Sequence, residues 1–148
     1  MVEIVPTEFS HVRAVANDMR ELDQRELKLF LGKDPFEAMS FVQENSTECF
    51  TVVHKGVPSV IAGYNVTDVL FKVASPFMIA TNYAERHPLL FARHSSTVVE
   101  KFGKHYLRNW VLAKNYFAIK WLTWLGFYVH DPQVCNGQVI RMFTKDCR

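Results

Sequence analysis

The sequence predicts a mixed α/β fold, a central mixed β-sheet of about six or seven strands flanked by about four helices in one domain over residues 1–148. Three observations predict it. The chain is 148 residues long with 49% hydrophobic and 14% aromatic residues, enough for a continuous core. Short β-branched runs alternate with segments of helical apolar spacing in the order β-α-α-β-β-β-α-β-α-β-β. Pro and Gly punctuate the element ends, with no repeats, linkers or low-complexity stretches.

Val2-Glu-Ile-Val5 reads as a first strand stopped by Pro6. Ser10 is placed to cap a helix whose apolar face is Val12, Val15, Ala16, Met19 and Leu22, running to about Phe30 and ended by Gly32. Asp34-Pro35 starts a second helix with Phe36, Met39 and Val42 on its apolar face. Cys49 to Val53 and Val57 to Tyr64 form a hairpin about His54-Lys55-Gly56, and residues 65–75 read as a loop. Pro76 to Thr81 is a short buried strand. Pro88 opens a helix to about Lys104, with Phe91, Val98 and Phe102 on one face. Trp110 to Ala113 is another buried strand. Tyr116 to Leu125 is a helix apolar nearly all round, predicted to be buried on several sides and stopped by Gly126. Phe127 to Val129 and Val139 to Thr144 close the chain as strands, joined by a loop holding Pro132, Asn136 and Gly137.

The formal net charge of +2, with basic residues scattered except for Arg141, Lys145 and Arg148, argues against a nucleic-acid or membrane-surface partner. Cys49, Cys135 and Cys147 are an odd count without C-x-x-C spacing, so reduced thiols in a cytoplasm are expected. The first residues lack the basic and apolar regions of a signal peptide, and no apolar run approaches the ~20 residues of a membrane span.

The segment from Asn115 to Phe127 carries the most information. Asn115 follows a strand, Ala118 lies three residues on, and Gly126-Phe127 ends the helix. Asn at a strand end satisfies frayed backbone groups. Ala lets the helix approach the sheet, and Gly accepts the left-handed conformation of a helix cap. In identity and spacing this resembles the signature of the GNAT acyltransferase family, and the element order extends the resemblance over nearly the whole chain. Glu85-Arg86-His87-Pro88, Asn109-Trp110-Val111 and Ile119 to Gly126 look, more narrowly, like small GNAT-like proteins of tailed bacteriophages, including the internal virion protein group of T7-like phages. That resemblance implies a kept fold, a gene belonging with virion assembly, contacts with other phage virion proteins, and a location in host cytoplasm or virion.

Two departures from the family pattern bear on catalysis. The family binds acetyl-CoA pyrophosphate on backbone N–H groups of a Gly-rich loop at a helix N-terminus. Here Asn82 to Pro88 holds no glycine, Glu85 adds negative charge, and Pro88 removes a donor. Many members place a proton-donating Tyr seven residues after the motif Asn; this chain has Leu122 there, and Tyr116, Tyr128 and Tyr83 are the substitutes available. The resemblance and its departures together imply no catalytic residue and no bound cofactor. If chemistry is kept, they imply acetyl-CoA held by Arg86, His87, Arg93 and Asn115, with a divergent cofactor loop.

Other constellations favour plainer readings. His87 and His94 lie seven apart, about 10.5 Å along a helix, too far for one metal. Cys49 and His54 lack a third group for a nucleophilic dyad. Trp110, Trp121, Trp124 and Phe117 read as core, and Glu3, Glu8, Glu21 and Glu26 as solvated faces.

Overall fold

The computed structural model describes residues 1–148. Strand β1 (Val2–Pro6) is followed by helices α1 (Phe9–Asn17), α2 (Glu21–Leu31) and α3 (Pro35–Asn45). A meander of β2 (Glu48–His54), β3 (Val57–Asp68) and β4 (Val73–Ala80) leads to the short α4 (Asn82–Glu85) and to α5 (Pro88–Glu100). Then come β5 (Tyr106–Leu112), α6 (Tyr116–Trp124), β6 (Tyr128–Cys135) and β7 (Gln138–Asp146). The seven strands form one sheet in the order β1-β2-β3-β4-β5-β7-β6. All neighbours are antiparallel except β4 and β5, as the mixed-sheet expectation requires.

Helices cover both faces. Val12 and Val15 of α1, Met19 just after it, Leu27 of α2, and Ala38 and Met39 of α3 pack on Ile61 and Ile79 on one side. On the other, Phe91, Val98, Phe102, Leu122 and Phe127 pack on Val60, Ala62, Leu107 and Phe143. The alternation of the strands divides their side chains between these two cores.

The structure corrects several boundaries. The first predicted helix is two. It begins after Glu8, whose N–H donates to His11 Nδ1 at 3.1 Å, and not at Ser10. It breaks at Asp18–Arg20, where extended backbone bridges Met19 to Thr81. Asp18 there takes the Asn82 N–H on its carbonyl at 2.8 Å. Tertiary pairing at this point outweighs an unbroken helical period. Residues 65–75 are not a loop: β3 runs on to Asp68 and β4 starts at Val73, leaving a turn at 69–72. The final loop is only Asn136-Gly137, both with positive φ (49° and 75°), the turn chemistry that closes a two-residue hairpin. Pro132 lies instead within the edge strand β6, at a register shift where no ladder donor is needed. Helix α6 is not buried all round: Tyr116 and Trp124 are 77% and 62% exposed. There are six helices, more than the four expected.

Candidate functional site

The site arises where β4 and β5 part. Their parallel pairing is confined to Val73↔Tyr106 and Ala74↔Leu107. Two residues later stands Pro76, which has no N–H to offer a neighbour. Its carbonyl accepts the Asn109 side-chain amide at 2.7 Å, so a side chain replaces the ladder as the strands diverge. Beyond that point a cavity of about 260 Å³ opens, lined chiefly by apolar residues, among them Phe30, Phe41, Phe77, Trp110 and Trp121. Trp121 Nε1 is the one buried side-chain N or O atom with no hydrogen-bond partner.

One end of this gap is closed by charged side chains of the chain itself. Arg20, 4% exposed, reaches three groups: Nη1 donates to Asp23 Oδ1 at 3.0 Å, Nη2 to Asn115 Oδ1 at 3.2 Å, and Nε to Glu85. Its guanidinium also lies 4.6 Å from the Phe117 ring centroid. Asp23 Oδ2 accepts the Ala80 N–H of β4 at 2.8 Å, while the Ala80 carbonyl accepts the Arg20 N–H at 3.1 Å. Glu26 Oε1 accepts the Leu112 N–H of β5 at 3.2 Å and the Asn115 Nδ2 at 2.7 Å. The start of α2 thus bridges both splayed strands and takes backbone groups that the gap leaves without a sheet partner.

Burial pushes both carboxyls up, Asp23 to about 6 and Glu26 to about 7. Arg20 pulls Asp23 back down, and Asp23 pushes Glu26 further up. One guanidinium faces three carboxyls, so a shared proton is the cheaper arrangement near neutrality.

Asn115 is fully buried and caps α6, accepting the Ala118 N–H at 3.3 Å. The other residues singled out for an anion do not converge on a free donor set. Arg86 and Arg93 are exposed on either side of the α5 start, and His87 Nδ1 is hydrogen-bonded to the Tyr83 carbonyl at 2.8 Å. From Asn82 to His87 every backbone N–H has a partner within the chain. Asn82 and Tyr83 donate to Asp18, Ala84 and Glu85 to Thr81, Arg86 to Asn82, and His87 to Ala84. The segment is a short helix, not an open cradle. A pyrophosphate there would have to displace these bonds, so the residues present do not fit one.

Leu122 is 5% exposed in the core. Of the alternative phenols, Tyr83 is hydrogen-bonded to His54 Nδ1 at 2.7 Å, and Tyr116 and Tyr128 are exposed. Cys49 and His54 are not brought together: Cys49 donates to Thr7, and burial pushes its thiol up.

Two of the site's charged residues, Arg20 and Asp23, are absent from the sequence-based expectations, and Glu85 enters them only as a charge in the loop, not as a partner of Arg20. Glu26 is a correction: it is half-buried in this network and not on a solvated face. A signal existed. Arg20, Asp23 and Glu26 are spaced three apart, and Leu27 follows Asp23 by four, so the charges share a stripe with a core residue. We expect Asn115→Ala, which leaves Arg20 and Glu26 each one partner short, to cost about 1–3 kcal/mol. A melting temperature lower by roughly 3–10 °C would show it.

The order and pairing of these elements are those of the GNAT acetyltransferases. The chain aligns with RimL, a ribosomal α-N-protein acetyltransferase solved with coenzyme A, at a TM-score of 0.68 and 11% identity, covering 98% of this chain and 93% of that one. It aligns with a GNAT-family acetyltransferase from Bacillus anthracis at 0.69 and 12%, covering 97% and 93%. For aminoglycoside acetyltransferase AAC(6')-Ib in complex with coenzyme A the values are 0.68 and 12%, covering 99% and 95%. At such identities the likeness is one of fold. No protein-family model and no curated protein sequence matches the chain.

Proposed function

We propose that this chain is a GNAT-fold protein that transfers no acyl group and works through protein–protein contacts, in the structure or assembly of a tailed-phage virion. One observation carries the first part: all six N–H groups of the segment that would cradle pyrophosphate are bonded within the chain. Core Leu122 in place of a proton donor supports it. So does the apolar surface beside the site, where Leu89 and Tyr116, in the first turns of α5 and α6, are 82% and 77% exposed. The place among virion proteins rests on the resemblance of Glu85–Pro88, Asn109–Val111 and Ile119–Gly126 to small phage proteins of this fold.

A second reading, an acyl-CoA-dependent N-acetyltransferase with a divergent loop, has one observation in its favour. Asp23 and Glu26, raised toward neutrality beside a cavity, have the acidity of a general base. Both already accept a backbone N–H and a side-chain donor, which leaves them poorly placed to take a substrate proton.

Calorimetric titration with coenzyme A and acetyl-CoA separates the two. No heat of binding is expected up to millimolar ligand. A micromolar dissociation constant, about −8 kcal/mol, would overturn the non-catalytic reading.

A further inference from the structure

Outside the β4–β5 cavity, the end of β2 meets the α4–α5 junction through a cluster of rings. His54, the last residue of β2, is 8% exposed, and its Nδ1 lies 2.7 Å from the Tyr83 hydroxyl of α4. His87, which precedes α5, stacks on the Tyr83 ring with centroids 4.5 Å apart, and its Nδ1 lies 2.8 Å from the Tyr83 carbonyl. A carbonyl only accepts, so the hydrogen of a neutral His87 sits on Nδ1. The two imidazole centroids are 6.0 Å apart, and Phe91 of α5 meets His54 edge-on at 6.4 Å. No backbone hydrogen bond joins residues 82–87 to β2, so the His54–Tyr83 contact is the one hydrogen bond that ties this segment to that strand.

Apart from the Tyr83 phenol, the titratable and charged groups that face His54 are basic. Lys55 follows it, the Met1 amine lies at the start of the paired β1, and His87 faces it from α5. Neither imidazole makes an ion pair. The carboxylates at α4 are engaged elsewhere: Asp18 by the Asn82 side-chain amide and the Tyr83 N–H, and Glu85 by Arg20. Glu3 of β1 points to the other face of the sheet, because Val2 and Ile4 pack with the core that holds Phe91. Burial, and after it these basic neighbours, push the His54 imidazole below its ordinary 6.5.

The contact with Tyr83 suits a neutral ring. With the His54 hydrogen on Nε2, the phenol donates to Nδ1. A second hydrogen on Nδ1 reverses the bond and turns the phenol's own hydrogen out to find another acceptor. The new charge has no carboxylate beside it and little water. Moving the α4–α5 junction off β2 gives it water, and distance from His87.

We propose that His54, Tyr83 and His87 form an acid-opened latch. Uncharged His54 holds α4 and the start of α5 against β2; protonation of its ring releases the segment Asn82–His87 and uncovers Ala84, which is 2% exposed in the closed form. The contribution of the latch is fully present above about pH 6.5 and is lost as pH falls from there through the depressed native value. One proton raises the opening by at most about tenfold per pH unit. The Asp23–Glu26 group responds in the opposite sense, so the opening is local to this junction.

Amide hydrogen exchange of the full chain at about pH 7.5 and about pH 5.5, corrected for intrinsic rates, tests the latch. Protection of Glu85, Arg86 and His87 should fall by roughly three- to tenfold in acid, while that of Val52 and Ile61 in the sheet falls less. His54→Phe keeps a ring at the site and should abolish the fall. His87→Asn removes the facing imidazole and should let His54 titrate closer to 6.5. Imidazole NMR of the wild type reads the same device without a variant: His54 should titrate below 6.5, and the Tyr83 ring signals should move with it. A His54 that titrates at or above 6.5 overturns the proposal. So does protection at 85–87 that ignores pH, or a fall that persists in His54→Phe. An equal fall at Val52 and Ile61 also overturns it, marking acid unfolding of the whole domain.

Discussion

Arg20→Met is expected to lower stability by about 3–5 kcal/mol near pH 8, and by clearly less near pH 5. The side chain is 4% exposed and is the only cation hydrogen-bonded to the Asp23–Glu26–Glu85 group. Methionine keeps much of the volume and the contact with Phe117, so the cost is electrostatic: buried carboxylate loses its counter-charge. A domain of this kind has only about 5–15 kcal/mol in hand, so the variant should sit close to unfolding in alkali. Acid relieves it, because a protonated Asp23 or Glu26 needs no guanidinium.

The wild type should show the same sign more weakly. Both carboxyls have native values above their ordinary 3.8 and 4.5. Between about pH 4 and 7 the native state therefore binds more protons than the unfolded chain, and stability falls as pH rises through that window. Two groups oppose this. Burial pushes His54 down, which favours the native state as pH rises through the imidazole range. Arg148 holds the exposed Asp146 near 2, which penalises strong acid. Urea titrations between about pH 5 and 8 should thus show a maximum on the acid side of neutrality. Asp23→Asn with Glu26→Gln should flatten the decline. An unchanged slope in that double variant would mean that neither group titrates in the native window.

The legible and illegible parts of this chain divide on physical grounds. Period and punctuation are local, so the helix starting at Pro35, the hairpin turn at Lys55-Gly56, the Pro88 helix and the Asn115–Phe127 unit could be read directly. Pro76 was also visible, but its meaning needs the neighbour: a proline inside a strand marks the place where β4 leaves β5, and only the pairing shows which neighbour is left. The break at Asp18–Arg20 has no local cause at all. Helical spacing continues through it, and the interruption comes from Ala80, Thr81 and Asn82, some 60 residues away. Glu26 fails in the opposite way. A glutamate on an amphipathic helix is solvated in most contexts, and only the unpaired Leu112 N–H across the gap makes burial worthwhile here. The absence of glycine from residues 82–88 is legible, whereas the closure of the six donors follows from Asp18 and Thr81 accepting four of them and the Asn82 and Ala84 carbonyls the other two.

Gly63→Ala is expected to be nearly as damaging, for a reason unrelated to charge. Gly63 lies mid-strand in β3, opposite Cys49 on β2 and Phe77 on β4. Its φ is not in the left-handed region, so alanine meets no torsional penalty. The obstacle is space. A Cβ there would lie 2.2 Å from the Glu48 carbonyl oxygen, 2.7 Å from Phe77 Cζ and 3.1 Å from Cys49 Cα. The Phe77 ring can rotate away, but the Glu48 carbonyl and Cys49 Cα are backbone, and moving them means parting β2 from β3. A loss of about 3 kcal/mol or more is expected, at the upper end of overpacking costs, or a melting temperature lower by roughly 6–12 °C. Gly32→Ala is the control: the space there is open and only the φ of 68° opposes a side chain, so about 1 kcal/mol is expected. Equal melting temperatures for the two variants would show that β2 and β3 yield at little cost and that the close approach at Gly63 is not what fixes the sheet.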